Sequence, residues 1–336
     1  MPFQPFRDMI ANQPGADAES AEAARNRNAE LTKPPGALGR LEDLAIWAAA
    51  WQGRPSPRAE SIQALVFAGN HGITAQGVSA FPAEVTVQMV ANFEGGGAAI
   101  NQLCQVAGAT LGVHALELER PTADFSQGPA MSEAECADAM ALGAAKLDRQ
   151  ADLLCLGEMG IGNTTSAAAL SMAAFGGTAA EWVGPGTGLD VAGVRHKAEV
   201  VEAALALHRP DMGDGFDILR RLGGREIAAM CGAILAARKH RVPVLLDGFV
   251  SCAAAAPLHA LDPATLAHCQ VAHRSAEPAH IRLVAALGKA PLLDLGMRLG
   301  EASGAALAAN VIKAAVATHT GMATFAEAAV SEKLED

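Results

Sequence analysis

Two periods alternate along the chain. Short apolar runs at 62–68, 110–118, 153–156, 242–246 and 266–272 read as buried strands. Longer segments at 82–93, 133–147, 166–174, 191–207 and 225–239 read as helices. Strands alternating with helices predict a mostly parallel sheet covered on both faces. The flanks differ. Residues 17–29 form an Ala-rich helix with Asp17 as its cap, which Pro34-Pro35-Gly36 breaks. Residues 38–51 resume as an amphipathic helix, with Leu38, Leu41, Leu44 and Ala45 on one face. Arg54-Pro55-Ser56-Pro57 marks a boundary, and 299–326 is helical again. The expected fold is α/β: a Rossmann-like parallel-sheet domain at 57–290, with a small helical domain built from both chain ends, 1–56 and 291–336.

The polar motifs fall where such a sheet binds ligands. Asn70-His71-Gly72, Gly157-Glu158-Met159-Gly160-Ile161-Gly162-Asn163-Thr164-Thr165, Asp247-Gly248 and His273-Arg274-Ser275 each follow a predicted strand. Open α/β sheets bind ligands at that carboxyl edge. The long glycine loop lies between a strand and a helix, a geometry that aims backbone N–H groups at an anion. Glycines let the backbone approach a phosphate closely. The loop also carries Glu158, so phosphate binding and chemistry are expected in one place.

Each motif has a competing reading. Gly157-x4-Gly162-Asn163-Thr164 nearly matches a P-loop, and Val244-Leu245-Leu246-Asp247 mimics a strand ending in a Mg²⁺-binding Asp. A P-loop needs a Lys on the β- and γ-phosphates, and Asn163 has no charge. A degenerate P-loop NTPase is therefore the lesser alternative, and a plain tight turn is another. Glu301, in Gly300-Glu301-Ala302-Ser303-Gly304, is either a helix-end charge or a general base in a pocket; spacing favours the helix charge. His71 reads as a hydrogen-bonded structural residue. A second glycine loop, Gly184-Pro185-Gly186-Thr187-Gly188, leads into a helix bearing Lys197 and is placed to close over a ligand.

Composition narrows the ligand. Of the 336 residues 51% are hydrophobic, enough for a large core. Only 4% are aromatic, with no Tyr, and the net charge at pH 7 is −11. Single-stranded nucleic acid needs stacking rings and a basic stripe, so no nucleic-acid partner is expected. The six cysteines show no paired C-x-x-C spacing and read as buried reduced thiols. No apolar leader and no run of about 20 apolar residues appears, so a soluble cytoplasmic protein without a membrane partner is expected. His268 and His273 lack a helix-face metal spacing, and no metal or cofactor is predicted. Enzymes that use phosphoribosyl diphosphate often place two adjacent acids after a strand. Glu42-Asp43 lies in a predicted helix and Glu335-Asp336 ends the chain, which argues against a diphosphate leaving group.

Together these motifs resemble the nicotinate-nucleotide–dimethylbenzimidazole phosphoribosyltransferase family, over nearly the whole chain. The matching segments include Thr32-Lys33-Pro34-Pro35-Gly36-Ala37-Leu38-Gly39, the Gly157 and Gly184 loops, His273-Arg274-Ser275-Ala276-Glu277 and Leu295-Gly296-Met297-Arg298-Leu299-Gly300-Glu301. The family often has Asp where this chain has Asn70. The resemblance implies that Glu301 is the general base and Glu158 a second active-site acid. It implies that Gly160, Gly162, Asn163, Thr164, Lys197, Ser275 and Arg298 hold the nucleotide phosphate and ribose. Ser79, Gln88 and Met159 would form the benzimidazole pocket. Implied substrates are nicotinate mononucleotide and 5,6-dimethylbenzimidazole, and the implied assembly is a homodimer. A non-catalytic nucleotide sensor is the remaining competitor; the two acids beside an anion site argue against it.

Overall fold

The computed structural model describes residues 1–331; the 332–336 tail of the predicted helical unit, with Glu335-Asp336, lies outside the described residues. Six strands form one parallel sheet in the order β2-β1-β3-β4-β5-β6. They are β1 Ile62–Ala68, β2 Ala109–Ala115, β3 Leu153–Met159, β4 Val244–Leu246, β5 Cys269–His273 and β6 Pro291–Leu293. The central strands are buried on both faces, which is why β1, apart from half-buried Gln63, the first four residues of β3, and β4 read as apolar runs.

Alternate strand residues feed two cores. Leu65, Phe67, Leu154 and Leu156 face one, under the helices Glu133–Ala145, Asn163–Phe175, Arg225–Lys239 and Phe249–Leu261. Ala64, Val66, Leu153 and Cys155 face the other, under Arg40–Gln52, Ala99–Ala107 and Ser303–Gly321. Ala18–Glu30 packs on Arg40–Gln52, and that helix on Ser303–Gly321. Asp17 caps Ala18–Glu30 as its sequence predicts, accepting the Ser20 N–H at 2.7 Å.

Several predicted edges move. Pro291–Leu293 pairs with β5 as a sixth strand, so the sheet extends into the segment predicted to belong to the helical unit. Three residues are too few to show a period. At the other end, Gln4–Ala11 packs on the first core, with Phe3 stacked on Phe216 at 5.0 Å between ring centres. Phe249–Leu261 is buried along most of its length, and a helix without a polar face carries no amphipathic signal. The helix predicted at 82–93 is Glu84–Glu94, with Pro82 ahead of it.

The change that matters most is in β3. It pairs with β1 as far as Phe67↔Glu158 and Ala68↔Met159, so Gly157, Glu158 and Met159 are strand residues. The loop shrinks to Gly160–Gly162 and the helix begins at Asn163. On its other side β3 pairs with β4 only through Leu154, Cys155 and Leu156. The gap beyond Leu156 is filled by the turn at 300–302: a Cβ on Gly157 would overlap the Ala302 backbone.

Candidate active site

A cavity of about 290 Å³ opens over the carboxyl ends of β3, β4 and β5. Strand order reverses between β1 and β3, where an open sheet usually has its crevice. Here that crevice is filled. His71 Nε2 lies 2.6 Å from Glu226 Oε1, and His71 Nδ1 lies 3.1 Å from Ser166 Oγ, all buried. This is the structural role expected of His71, and it displaces the cavity toward β4 and β5.

Of the predicted site residues, Glu158, Met159, Gly160, Asn163 and Thr164 line the cavity from β3 and the helix that follows. Ser275, Arg298 and Glu301 line it from the segments after β5 and β6. The helix Asn163–Phe175 starts at Gly162, which offers no side-chain cap. In its first turn the Asn163 and Thr165 N–H groups donate to Gly160 O at 3.1 Å and Gly162 O at 3.0 Å, which leaves the Thr164 N–H as the donor this turn brings to the cavity for an anion. The glycines themselves serve protein contacts. Gly160 leaves room for Gly69 O, which a Cβ would approach at 2.7 Å, and Gly162 sits at φ 94.

Four predicted residues lie outside the cavity lining. Gly162 is one step behind it. Lys197 is buried, with Nζ donating to Thr164 Oγ1 at 2.7 Å, so it acts on the cavity through Thr164. Burial lowers its pKa to about 8, with Glu277 acting in the opposite sense. Ser79 is half-buried, and its Oγ accepts the Phe81 N–H at 3.2 Å. Gln88 is exposed on the helix Glu84–Glu94. Phe81, two residues after Ser79, does line the cavity.

The two acids come from segments far apart in sequence that pack side by side. Glu158 is buried on β3 and accepts a hydrogen bond from Asn163 Nδ2. Asn163, which replaces the P-loop Lys, thus holds a carboxylate. Burial raises the Glu158 pKa well above the usual carboxylate range; Glu226, Asp247 and Glu301 add to this, while Asn163 opposes it. Glu301 stands in a turn where Gly300, Glu301 and Ala302 have φ of 86, 62 and 61. It precedes Ser303–Gly321 and its N-cap, so the helix-charge reading that spacing favours does not hold. Left-handed backbone costs a residue with a Cβ about 1–2 kcal/mol. Gly300 has none; a Cβ there would lie 2.7 Å from Glu158 Oε1. Burial moves the Glu301 pKa up to about 7.

The second glycine loop does close over the cavity. Gly186 and Thr187 line it, and Arg298 Nη1 donates to Gly186 O at 3.0 Å. Glu277, which ends the matching segment that begins at His273 but has no role assigned from the sequence, also lines it and accepts the Gly186 N–H at 3.4 Å. Burial raises the Glu277 pKa against the pull of Lys197. Only its position shortly after a strand end could have flagged it.

Asp247 does not line the cavity; its carboxylate turns to a helix N-terminus, so the Mg²⁺-binding arrangement of a P-loop protein is not formed. Among the described residues, no group of three or more His, Cys, Asp or Glu is placed to hold a metal ion. All six cysteines are buried and free, and burial raises the Cys104 thiol to about 11. Among the described residues, no helix is long and apolar enough to cross a membrane.

The chain is similar to known proteins over nearly its whole length. The phosphoribosyltransferase family profile matches residues 13–330. A nicotinate-nucleotide–dimethylbenzimidazole phosphoribosyltransferase from Ruegeria pomeroyi is 62% identical over 327 residues, covering 97% of each chain. One from Rhizobium meliloti is 57% identical over 333 residues, covering 99% of this chain and 98% of the relative. The crystal structure of the enzyme of that name from Thermus thermophilus superposes with a TM-score of 0.86 at 40% identity, covering 94% of this chain and 100% of that one. The chain belongs to the nicotinate-nucleotide–dimethylbenzimidazole phosphoribosyltransferase family.

Proposed function

We propose that this protein transfers the phosphoribosyl group of nicotinate mononucleotide to 5,6-dimethylbenzimidazole. The products are α-ribazole 5′-phosphate and nicotinate, a step in assembling the nucleotide loop of cobalamin. The observation that carries the chemistry is Glu301: a buried carboxylate on the cavity wall, with a pKa of about 7, on a turn seated beside Glu158. A base poised near neutrality is what the incoming azole requires.

The nucleotide phosphate sits at the N-terminus of Asn163–Phe175, beside Thr164, Ser275 and Arg298. Gly160, Gly162 and Asn163 shape that turn. Lys197 fixes Thr164 and adds positive charge behind it. The base lies toward Met159 and Phe81; Ser79 and Gln88 keep a role only at the edge of that pocket. Nicotinate leaves as a neutral pyridine ring from its pyridinium form, so no acid is needed to protonate it. Positive charge spreads over the ribose as the bond breaks, and a carboxylate at Glu158 stabilises it. Burial holds Glu158 toward its neutral form; the positive pyridinium ring of the nucleotide acts in the opposite sense. The benzimidazole attacks C1′ through its unprotonated nitrogen, from the face opposite the leaving group. The β-nucleotide thus becomes an α-nucleotide. The proton on the other ring nitrogen goes to Glu301. The terminal helices are read as a small unit that carries Glu301, and the protein as a cytoplasmic homodimer, on the strength of the resemblance.

The test is a product assay. Purified protein, nicotinate mononucleotide and 5,6-dimethylbenzimidazole, without added metal, should yield α-ribazole phosphate and nicotinate in equal amounts. Tight nucleotide binding with neither product would sink the reading in favour of a sensor.

A further inference from the structure

We propose that Asp247 is the positioning residue for Glu301: from the end of β4 it caps the helix Ser303–Gly321 and holds the left-handed turn that faces Glu301 into the cavity. The proposal rests on the reading of Glu301 as the base.

Helices ordinarily begin at an extended residue whose side chain accepts an N–H from the first turn. This helix has neither feature. Its N-cap, Ala302, is left-handed and carries only a methyl group. The missing acceptor comes from across the fold. Asp247 Oδ1 accepts the Ala305 N–H at 2.9 Å, and both residues are fully buried. The backbone N–H groups of Gly304 and Ala302 act on the same carboxylate. Asp247 therefore grips the backbone immediately after Glu301.

The rest of the turn is closed around that grip. Ser303 donates to Gly300 O from its backbone N–H at 3.0 Å and from Oγ at 2.6 Å. The turn then docks on β3, where Gly157 leaves room for the Ala302 backbone. The nearest alternative partner is His273, whose Nε2 lies 3.6 Å from Asp247 Oδ1, beyond hydrogen-bond range. The backbone of the turn is what Asp247 holds. Without it, two successive left-handed residues lose their tether and Glu301 drifts from the attacking nitrogen.

The experiment uses the full chain with the substitutions D247A, D247N, E301A and D247A/E301A. It measures kcat, KM for both substrates and thermal melting. A displacement of about 1 Å at a reacting group lowers rate by up to about 100-fold. D247A should therefore lower kcat by about 10- to 100-fold, with KM for the nucleotide changed less than about 3-fold. D247N keeps an oxygen acceptor for the same N–H and should stay within about 5-fold of wild type. Because Asp247 acts through Glu301, the double variant should be no slower than E301A alone. A further loss in the double variant would overturn the proposal, as would wild-type kcat in D247A. If D247A does not fold, D247S, whose hydroxyl is too short to reach Ala305, must show the same kcat loss and the same lack of additivity. Wild-type rate in E301A would remove the base reading, and the positioning proposal with it. A loss in E301A without one in D247A would remove the positioning proposal alone.

Discussion

Replacing Glu301 by glutamine removes a titratable group while keeping the size of the side chain and the turn that carries it. Two consequences of opposite sign follow from the same burial. The first concerns rate. With a pKa of about 7, about 3% of Glu301 is ionised at pH 5.5, so kcat/KM should be about 30-fold lower there than on the alkaline plateau. E301Q should lose about 10²–10⁴ in kcat at pH 8 and lose this acid limb altogether. The second concerns stability. The folded-state pKa lies above the ordinary 4.5, so the folded protein holds more protons than the unfolded chain between about pH 4.5 and 7. The stability linked to this group is therefore fullest below 4.5 and is lost as pH rises through 7. The gap corresponds to at most about 3 kcal/mol at about 1.4 kcal/mol per pH unit. Glutamine carries no such penalty. E301Q should become progressively more stable than wild type from pH 5 to pH 8, by up to about 3 kcal/mol, in urea unfolding followed by circular dichroism. A stability difference independent of pH, or a kcat within 10-fold of wild type, would refute the reasoning.

Three other perturbations follow from the packing. Gly157→Ala places a methyl group on the Ala302 backbone and should destabilise the fold by about 1–3 kcal/mol, with a loss of kcat as the Glu301 turn lifts; melting and steady-state kinetics check both. Lys197→Met removes the charged donor to Thr164 Oγ1. A hydrogen bond to a charged group contributes about 1.5–3 kcal/mol, so KM for the nucleotide should rise about 10- to 100-fold while kcat falls less. His71→Ala leaves Glu226 buried without its partner and should cost about 3–5 kcal/mol in urea unfolding. Because His71 lies outside the cavity, kcat of the folded variant should stay within about 3-fold of wild type.

The sheet is legible because its central strands are buried on both faces and mostly apolar: β1 is read residue for residue despite half-buried Gln63, and the alternation with helices specifies parallel strands. The same criterion misplaced the end of β3. Gly157 and Glu158 look like loop residues because glycine and a carboxylate are rare in central strands. They continue the strand because β1 goes on pairing with them to Ala68↔Met159, while on the other side β4 stops at Leu246 and the Ala302 backbone packs in its place. The cavity wall from Glu158 to Thr164 is legible for a local reason: strand, short turn and helix are contiguous in sequence. The acid at Glu301 was ambiguous because its role depends on a left-handed turn and on Asp247, which precedes it by more than 50 positions. Glu277 and Phe81 were missed because nothing local distinguishes a cavity-facing side chain from a solvent-facing one.

Ser303–Gly321 covers one face of the sheet, and the left-handed turn that leads into it carries Glu301. The phosphate-side groups, from Gly160 to Ser275, all leave the ribosome earlier. A chain that has not yet docked this helix keeps most of a binding cleft, exposes Ala64, Val66 and Cys155 to water, and has no base. Catalytic competence and completion of the hydrophobic interior thus arrive in one event, so turnover reports the fraction of chains that have finished folding, and a partly folded population contributes none.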